Sequence, residues 1–205
     1  YKLQVIGEAP EGVSGTKVTF LPDHTIFEDN IYDYDILRNR LREMAFLTKG
    51  LKISLTDKRL IPEKVRSFHY EGGIKEFVTY LNRHRDPLYN EVIYCEGVRD
   101  GISVEVALQH NDSYNESTYS FVNNINTPGT HLTGFKSAIT KVFNDYARKN
   151  NIIKEKDDNL SGDDLREGLA AIVSIKISDP QFEGQTKQKL GNSEARPAVE
   201  SVVTE

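Results

Sequence analysis

The amino-acid sequence predicts an α+β fold, a sandwich of helices against a mixed sheet, and three observations predict it. Ile102, Val104, Val106 and Leu108 alternate with polar residues, the pattern of a strand with one apolar face. "LAAIVSIKIS", from Leu169 to Ser178, is the longest apolar run and reads as a buried strand. Between Leu132 and Arg148 the residues Leu132, Phe135, Ile139, Val142, Phe143 and Tyr146 gather on one side of a helix turning at about 100° per residue. Strands and helices interleave without strict alternation, which separates this chain from the doubly wound class.

The elements follow in order. "KLQVIGE" and "TKVTFLP" are two strand-like runs with Val18 and Phe20 in alternation. Two strands make at best a marginal unit in water, so residues 1–30 read as the end of a larger domain that has been cut away, with "PDHTIFEDN" as a turn-rich link. A helix spans Asp35 to Leu47, with Leu37, Leu41, Met44 and Ala45 on one face and Gly50 placed as its C-terminal cap. "LKISLTD" and "SFHYE" read as strands; Ile74, Phe77, Val78 and Leu81 then mark a second helix after Gly72 and Gly73. "VIYCEG", "ISVEVALQHN" and "TYSFVNNI" are three further strands. The long third helix is followed by a short charged one, "SGDDLREG", where Ser161 caps, Asp163 and Asp164 offset the helix dipole and Arg166 can pair across a turn. "SEARPAVESVV" closes the chain as a helix that tolerates Pro197 in its first turn.

With 205 residues, 38% of them hydrophobic and 28% charged, the chain has the composition of a soluble globular protein and the length for one good core. No apolar run approaches the roughly 20 residues that span a bilayer, and no secretory segment opens the chain, so a membrane partner is not expected. Cys95 is the single cysteine, which excludes an internal disulfide or a cysteine-based zinc site and sets a reducing, cytoplasmic location as the expectation. The net charge of −5 argues against a protein that coats nucleic acid with its whole surface, while leaving room for a local basic patch. The patterns GxxxxGK[ST], GxSxG and HExxH are absent. His24, His69, His84, His110 and His131 lack metal-ligand spacing, so no metal site is expected.

One polar segment stands out. "DPQFEGQTKQKL", from Asp179 to Leu190, follows the buried strand and holds Gln185, Thr186 and Lys187 behind Gly184. By composition alone it is either a solvated loop or a phosphate contact, in which a mobile ammonium supplies a point charge and glutamine amides add directional donors. One lysine is not a site. Metal ligands, an adenine pocket and a water-activating base are all missing, so a phosphate bound here must lie in a pocket on another domain.

Long stretches in fixed order carry a resemblance that covers the chain almost end to end: "VTFLPDHTIF", "LREMAFLTKGLKISLTD", "FHYEGGIKEFVTYLN", "VEVALQHNDSY", "FVNNINT", "GTHLTGFKSAITKVFNDYAR" and "LSGDDLREGLAAIVSIKISDPQFEGQTKQKLGNSEARPAVE". The chain resembles the transducer domain of type IIA DNA topoisomerase B subunits, most closely the bacterial gyrase B branch, with the topoisomerase IV B-type subunit second. The resemblance implies a fold like the second domain of ribosomal protein S5 over residues 31–205, preceded in residues 1–30 by the last strands of a GHKL-type ATPase domain. It implies that Lys187, assisted by Gln185 and Thr186, reaches the γ-phosphate of ATP held with Mg²⁺ by that ATPase domain. The fragment alone is then expected to bind neither and to be inactive. Lys136, in "GFKSA", matches a basic position lining the cavity through which a DNA duplex passes; Lys141 and Arg148, on the exposed face, are weaker candidates. The implied partners are DNA, a second B subunit and the A subunit of an A2B2 assembly. An interaction or RNA-binding module with the same S5-like fold is the competing reading from another class.

Overall fold

A computed structural model describes residues 4–184 and 188–205 of the chain. They fall into two units that divide between Tyr34 and Asp35. In the first, residues 4–33 form neither strand nor helix. Among the described residues the expected strands are therefore not formed: a lone two-stranded ribbon buries too little to hold itself, and Val18 and Phe20 stand exposed. Order in this unit is local, as where the Asp23 carboxylate accepts hydrogen bonds from the Thr25 amide at 2.8 Å and its hydroxyl at 2.7 Å.

The second unit runs α1 (Tyr34–Leu47), β1 (Ile53–Asp57), β2 (Lys64–Phe68), α2 (Ile74–Leu81), β3 (Ile93–Arg99), β4 (Ile102–His110), β5 (Ser117–Val122), β6 (Ile125–Asn126), α3 (Thr130–Lys149), α4 (Gly162–Arg166), β7 (Leu169–Lys176), β8 (Phe182–Glu183), β9 (Lys189–Leu190) and α5 (Ala195–Thr204). Its main sheet has the strand order β3-β4-β7-β5-β6. Only β5 and β7 pair in parallel, from Ser117 opposite Ala170 to Val122 opposite Ile175; the other pairs are antiparallel. The sheet is thus mixed, and the α+β class expected from the sequence is the one observed.

Both faces are covered. Ile102, Val104, Val106 and Leu108 of β4 join Leu169, Ala171, Val173 and Ile175 of β7 in one core, closed by α3 and α5 through Phe135, Ile139, Val199 and Val202. Ala170 and Ile172 of β7 point the other way, into a smaller core with Phe46 and Leu47 of α1 and Phe77 and Val78 of α2. Strand β7 therefore has no solvent face, which explains why its sequence is apolar without alternation. The ring of Phe46 stacks between Tyr70 and Phe77, at centroid distances of 3.7 and 4.7 Å.

Three local expectations need correction. "TYSFVNNI" is not one strand: Asn123 and Asn124 adopt left-handed backbone (φ 49° and 66°), a conformation asparagine tolerates, and fold β5 back onto β6. The second strand of the β1–β2 hairpin begins at Lys64 and ends at Phe68, not in "HYE", because it is mostly exposed and its pairing leaves little hydrophobic pattern. On α3 the buried stripe comprises His131, Gly134, Phe135, Ala138, Ile139, Asn144 and Ala147. Tyr146, expected on that stripe, is 63% exposed. Small and polar residues hold the buried face, so a count of large apolar side chains rotates it wrongly. Asn144 belongs there because its side chain bonds both backbone groups of Leu160, at 2.9 and 3.0 Å.

Gly134 shows how closely α3 and α5 approach: a Cβ there would lie 2.5 Å from the Arg196 carbonyl oxygen. Gly134→Val is expected to push α5 off the sheet and to lower stability by about 3 kcal/mol, the upper range for overpacking a filled core. The urea midpoint of unfolding is the measurement.

Candidate functional site

The residues singled out by the sequence lie in two places joined by one helix. The first is the β8–β9 hairpin. Residues Gln185, Thr186 and Lys187, between these two strands in sequence, lie outside the described residues, but the paired strands on either side are well defined. Phe182 pairs with Leu190 and Glu183 with Lys189, and the Lys189 ammonium sits 3.0 Å from the Glu183 carboxylate. Gly184 has a φ of 77°, which suits glycine at the turn into the tip.

The base is clasped to the start of α3. The Leu190 amide donates to the Pro128 carbonyl at 2.9 Å, and the Thr130 hydroxyl donates to the Asn192 carbonyl at 2.6 Å. Gly129 lies directly against Leu190; a Cβ at Gly129 would fall 2.5 Å from the Leu190 carbonyl oxygen, and its φ of 155° disfavours other residues as well. Asn192, which sequence reasoning passed over, ties the clasp together. Its buried side chain accepts from the Gln181 amide at 2.6 Å and donates to the Asp179 carbonyl at 3.2 Å and the Glu194 carboxylate at 2.7 Å. A buried asparagine between two polar segments leaves no periodic signal to find it by.

The second place is the outer face of α3. Lys136 stands six residues along from Thr130, about 9 Å at the helical rise per residue, and about a third of its side chain is exposed. Its ammonium is held 2.9 Å from the Glu116 carboxylate. Lys141 is exposed and forms no ion pair among the described residues. Arg148 is spent on structure: its guanidinium donates to the Lys154 carbonyl at 2.6 Å, the Asp157 carbonyl at 2.6 Å and the Asn159 side chain at 2.8 and 3.0 Å. It holds the 154–159 loop. Lys136 and Lys141 share a groove with Ser137, Thr140, Asp145 and Arg166; Arg148 does not line it, though Asn159, which it bonds, does.

The remaining polar candidates are structural. At α4 the Ser161 hydroxyl accepts from the Asp164 amide and the Asp164 carboxylate accepts from the Ser161 amide, the capping box expected there. The His110 ring donates to the Leu165 carbonyl at 3.0 Å and accepts from the Tyr89 hydroxyl at 3.0 Å. Cys95 packs half-buried against the main core, and burial pushes its thiol up to about 11. Among the described residues no group of three His, Cys, Asp or Glu side chains is placed to hold a metal ion, and no helix is long and apolar enough to cross a membrane.

Comparison with known proteins gives consistent matches. The family model for DNA gyrase B matches residues 73–205. The DNA gyrase B subunit of Clostridium acetobutylicum is 58% identical over 203 residues, covering 98% of this chain and 31% of its own length. The DNA topoisomerase 4 B subunit of Streptococcus pneumoniae is 53% identical over 207 residues, covering 99% of this chain and 32% of its own. Among solved structures, the 43K ATPase domain of Thermus thermophilus gyrase B, in complex with an aminocoumarin, superposes with a TM-score of 0.84 at 42% identity, over 98% of this chain and 54% of that one. The chain spans about a third of the length of the Clostridium and Streptococcus relatives.

His131, the residue after Thr130 in the clasp, is fully buried. Burial drives its imidazole pKa down to about 4, a pull that the Thr127 backbone opposes only in part. The folded state therefore refuses a proton that the unfolded chain accepts near pH 6.5, so stability falls as pH drops from about 6.5 to about 4, by roughly 3 kcal/mol in all. Urea unfolding across that window should show the loss, and His131→Leu should flatten it.

Proposed function

The chain belongs to the DNA gyrase B family, and from that membership we propose that it is the transducer part of an ATP-dependent type IIA DNA topoisomerase, relaying nucleotide state to the passage of a DNA duplex. The observation that carries this reading is the clasp between the β8–β9 hairpin and the start of α3. These contacts offer a direct path by which a displacement of the hairpin passes through Leu190 and Asn192 into Gly129 and Thr130, and so into the helix that holds Lys136.

In the complete protein, ATP and Mg²⁺ are held by the neighbouring ATPase domain, of which residues 1–30 form the C-terminal end. Among the described residues no group of three His, Cys, Asp or Glu side chains is placed to hold the Mg²⁺. Lys187 supplies an ammonium to the γ-phosphate, with Gln185 and Thr186 beside it. A charge pair at about 4 Å gives around 4 kcal/mol at an effective dielectric of 20, before desolvation is subtracted. Moving a two-state balance from 1:99 to 99:1 takes about 5.5 kcal/mol of differential binding. Lys187 alone falls short, so contacts between two B subunits add to it. Hydrolysis and phosphate release remove the partner charge and free the loop.

On the α3 face, Lys136 and Lys141 meet the backbone of the passing duplex. Ammonium groups without a base-reading fork suit a surface that attracts phosphates and does not read sequence. The tied guanidinium of Arg148 removes it from this set. The holoenzyme is an A2B2 complex of the cytoplasm, and the gyrase assignment is tested by negative supercoiling in the reconstituted complex. Decatenation without supercoiling would instead assign it to topoisomerase IV.

Two variants of the complete protein test the relay. Lys187→Ala is expected to lower ATP turnover to near background while ATP-analogue binding remains measurable; full turnover removes Lys187 from the mechanism. Lys136→Glu is expected to lower DNA-stimulated ATPase more than the basal rate, and an equal fall in both counts against a DNA contact.

A further inference from the structure

The loop before β5 carries a carboxylate that neither pattern nor motif marks out. Glu116 lies between two cations from different helices: its Oε1 is 2.9 Å from the Lys136 ammonium of α3, and its Oε2 is 3.2 Å from Nε of Arg166 in α4. The far arm of Arg166 reaches Asp163 at 2.5 Å. The two cations differ in freedom. The Arg166 side chain is only 15% exposed and is held by both Glu116 and Asp163, whereas Lys136 is 35% exposed on a flexible stem. Burial works against the Glu116 charge, but the hydrogen bond from Lys136, the Thr118 hydroxyl and the charges of Lys136 and Arg166 together outweigh it and hold the carboxyl below its usual range.

We propose that Glu116 is an electrostatic gate on the α3 face, a residue that holds Lys136 neutralised and yields it to a DNA phosphate by exchange. The inference rests on the reading of Lys136 as a DNA contact. When a phosphate takes the ammonium, Glu116 keeps Arg166 as its partner, so the carboxylate is not stranded. The exchange makes each phosphate contact weaker than a free lysine would, which suits a duplex that must pass along this face and leave it. Lys141, with no carboxylate paired to it among the described residues, is an ungated neighbour that draws the duplex in.

Duplex binding by the complete B subunit, assembled with its A subunit and followed by fluorescence anisotropy over a range of salt, tests the gate. Glu116→Gln keeps an acceptor for Arg166 and removes the charge. It is expected to tighten duplex binding about threefold at low salt, the scale of a part-exposed ion pair. It is also expected to steepen the slope of log affinity against log salt by up to about 0.9, one additional released counterion. Both changes must vanish when Glu116→Gln is combined with Lys136→Ala. No tightening, or a tightening that survives without Lys136, overturns the gate while leaving the DNA contact in place. Lys136→Ala alone at wild-type affinity and slope defeats the DNA contact and the gate together. Should Glu116→Gln lose its cooperative melt, Glu116→Asp keeps a charge for Arg166 and draws it back from Lys136. That variant must show the same tightening at smaller size, and its absence overturns the gate equally.

Discussion

The architecture depends on the parallel pairing of β5 with β7 in the middle of the sheet. Parallel neighbours cannot be joined by a tight hairpin, so the chain between them must cross one face of the sheet. That crossover is the segment carrying α3 and α4, and its placement puts the long helix against the apolar side of β4 and β7. The same pairing aims the end of β7 at the start of α3. Asn123, in the turn after β5, extends the ladder by bonding both backbone groups of Ile177, at 2.8 and 3.0 Å. The chain then turns into the hairpin whose base meets Gly129. That one helix carries both the clasped hairpin base and the basic groove is thus a consequence of a single strand order.

Much of this was legible in the sequence, and the failures have physical causes. Alternation in β4 and continuity in β7 reported one and two buried faces, and the order of elements reported a mixed sheet. Pattern could not foresee that residues 4–33 lack strands, because "KLQVIGE" and "TKVTFLP" have strand composition and strand formation needs a partner surface as well. The stripe of α3 was misjudged at Tyr146 because Gly134, Ala138 and Asn144 face inward without looking apolar. Within the candidate site, Lys136 and Lys141 were visible as basic residues on an amphipathic helix. Glu116 and Asn192 were not, since each acts through partners separated from it by tens of residues or by a backbone turn, and single-chain periodicity carries no record of such pairs. Arg148 was visible as a cation, but that its donors are directed at the 154–159 loop was not, since composition marks that loop only as polar.

The charge pattern follows the same logic. A chain with net charge −5 presents cations to a polyanion only where geometry concentrates them. On α3 one groove gathers Lys136, Lys141 and Arg166 beside a single acidic residue, Asp145, and on the proposed reading Glu116 sets how much of that charge is available at once. Surface pairs of this kind add little to folding stability. On the proposed reading their value lies in the equilibrium between an internal partner and an external one.

The lone thiol of Cys95 has a practical consequence. Half-buried and protonated at neutral pH, it is a poor nucleophile. A cysteine engineered at an exposed position of the hairpin or of α3 would therefore take a maleimide dye in strong preference to the native one. Fluorophores placed at those two positions would report, by energy transfer within this part of the chain, whether the proposed relay moves the hairpin relative to the helix.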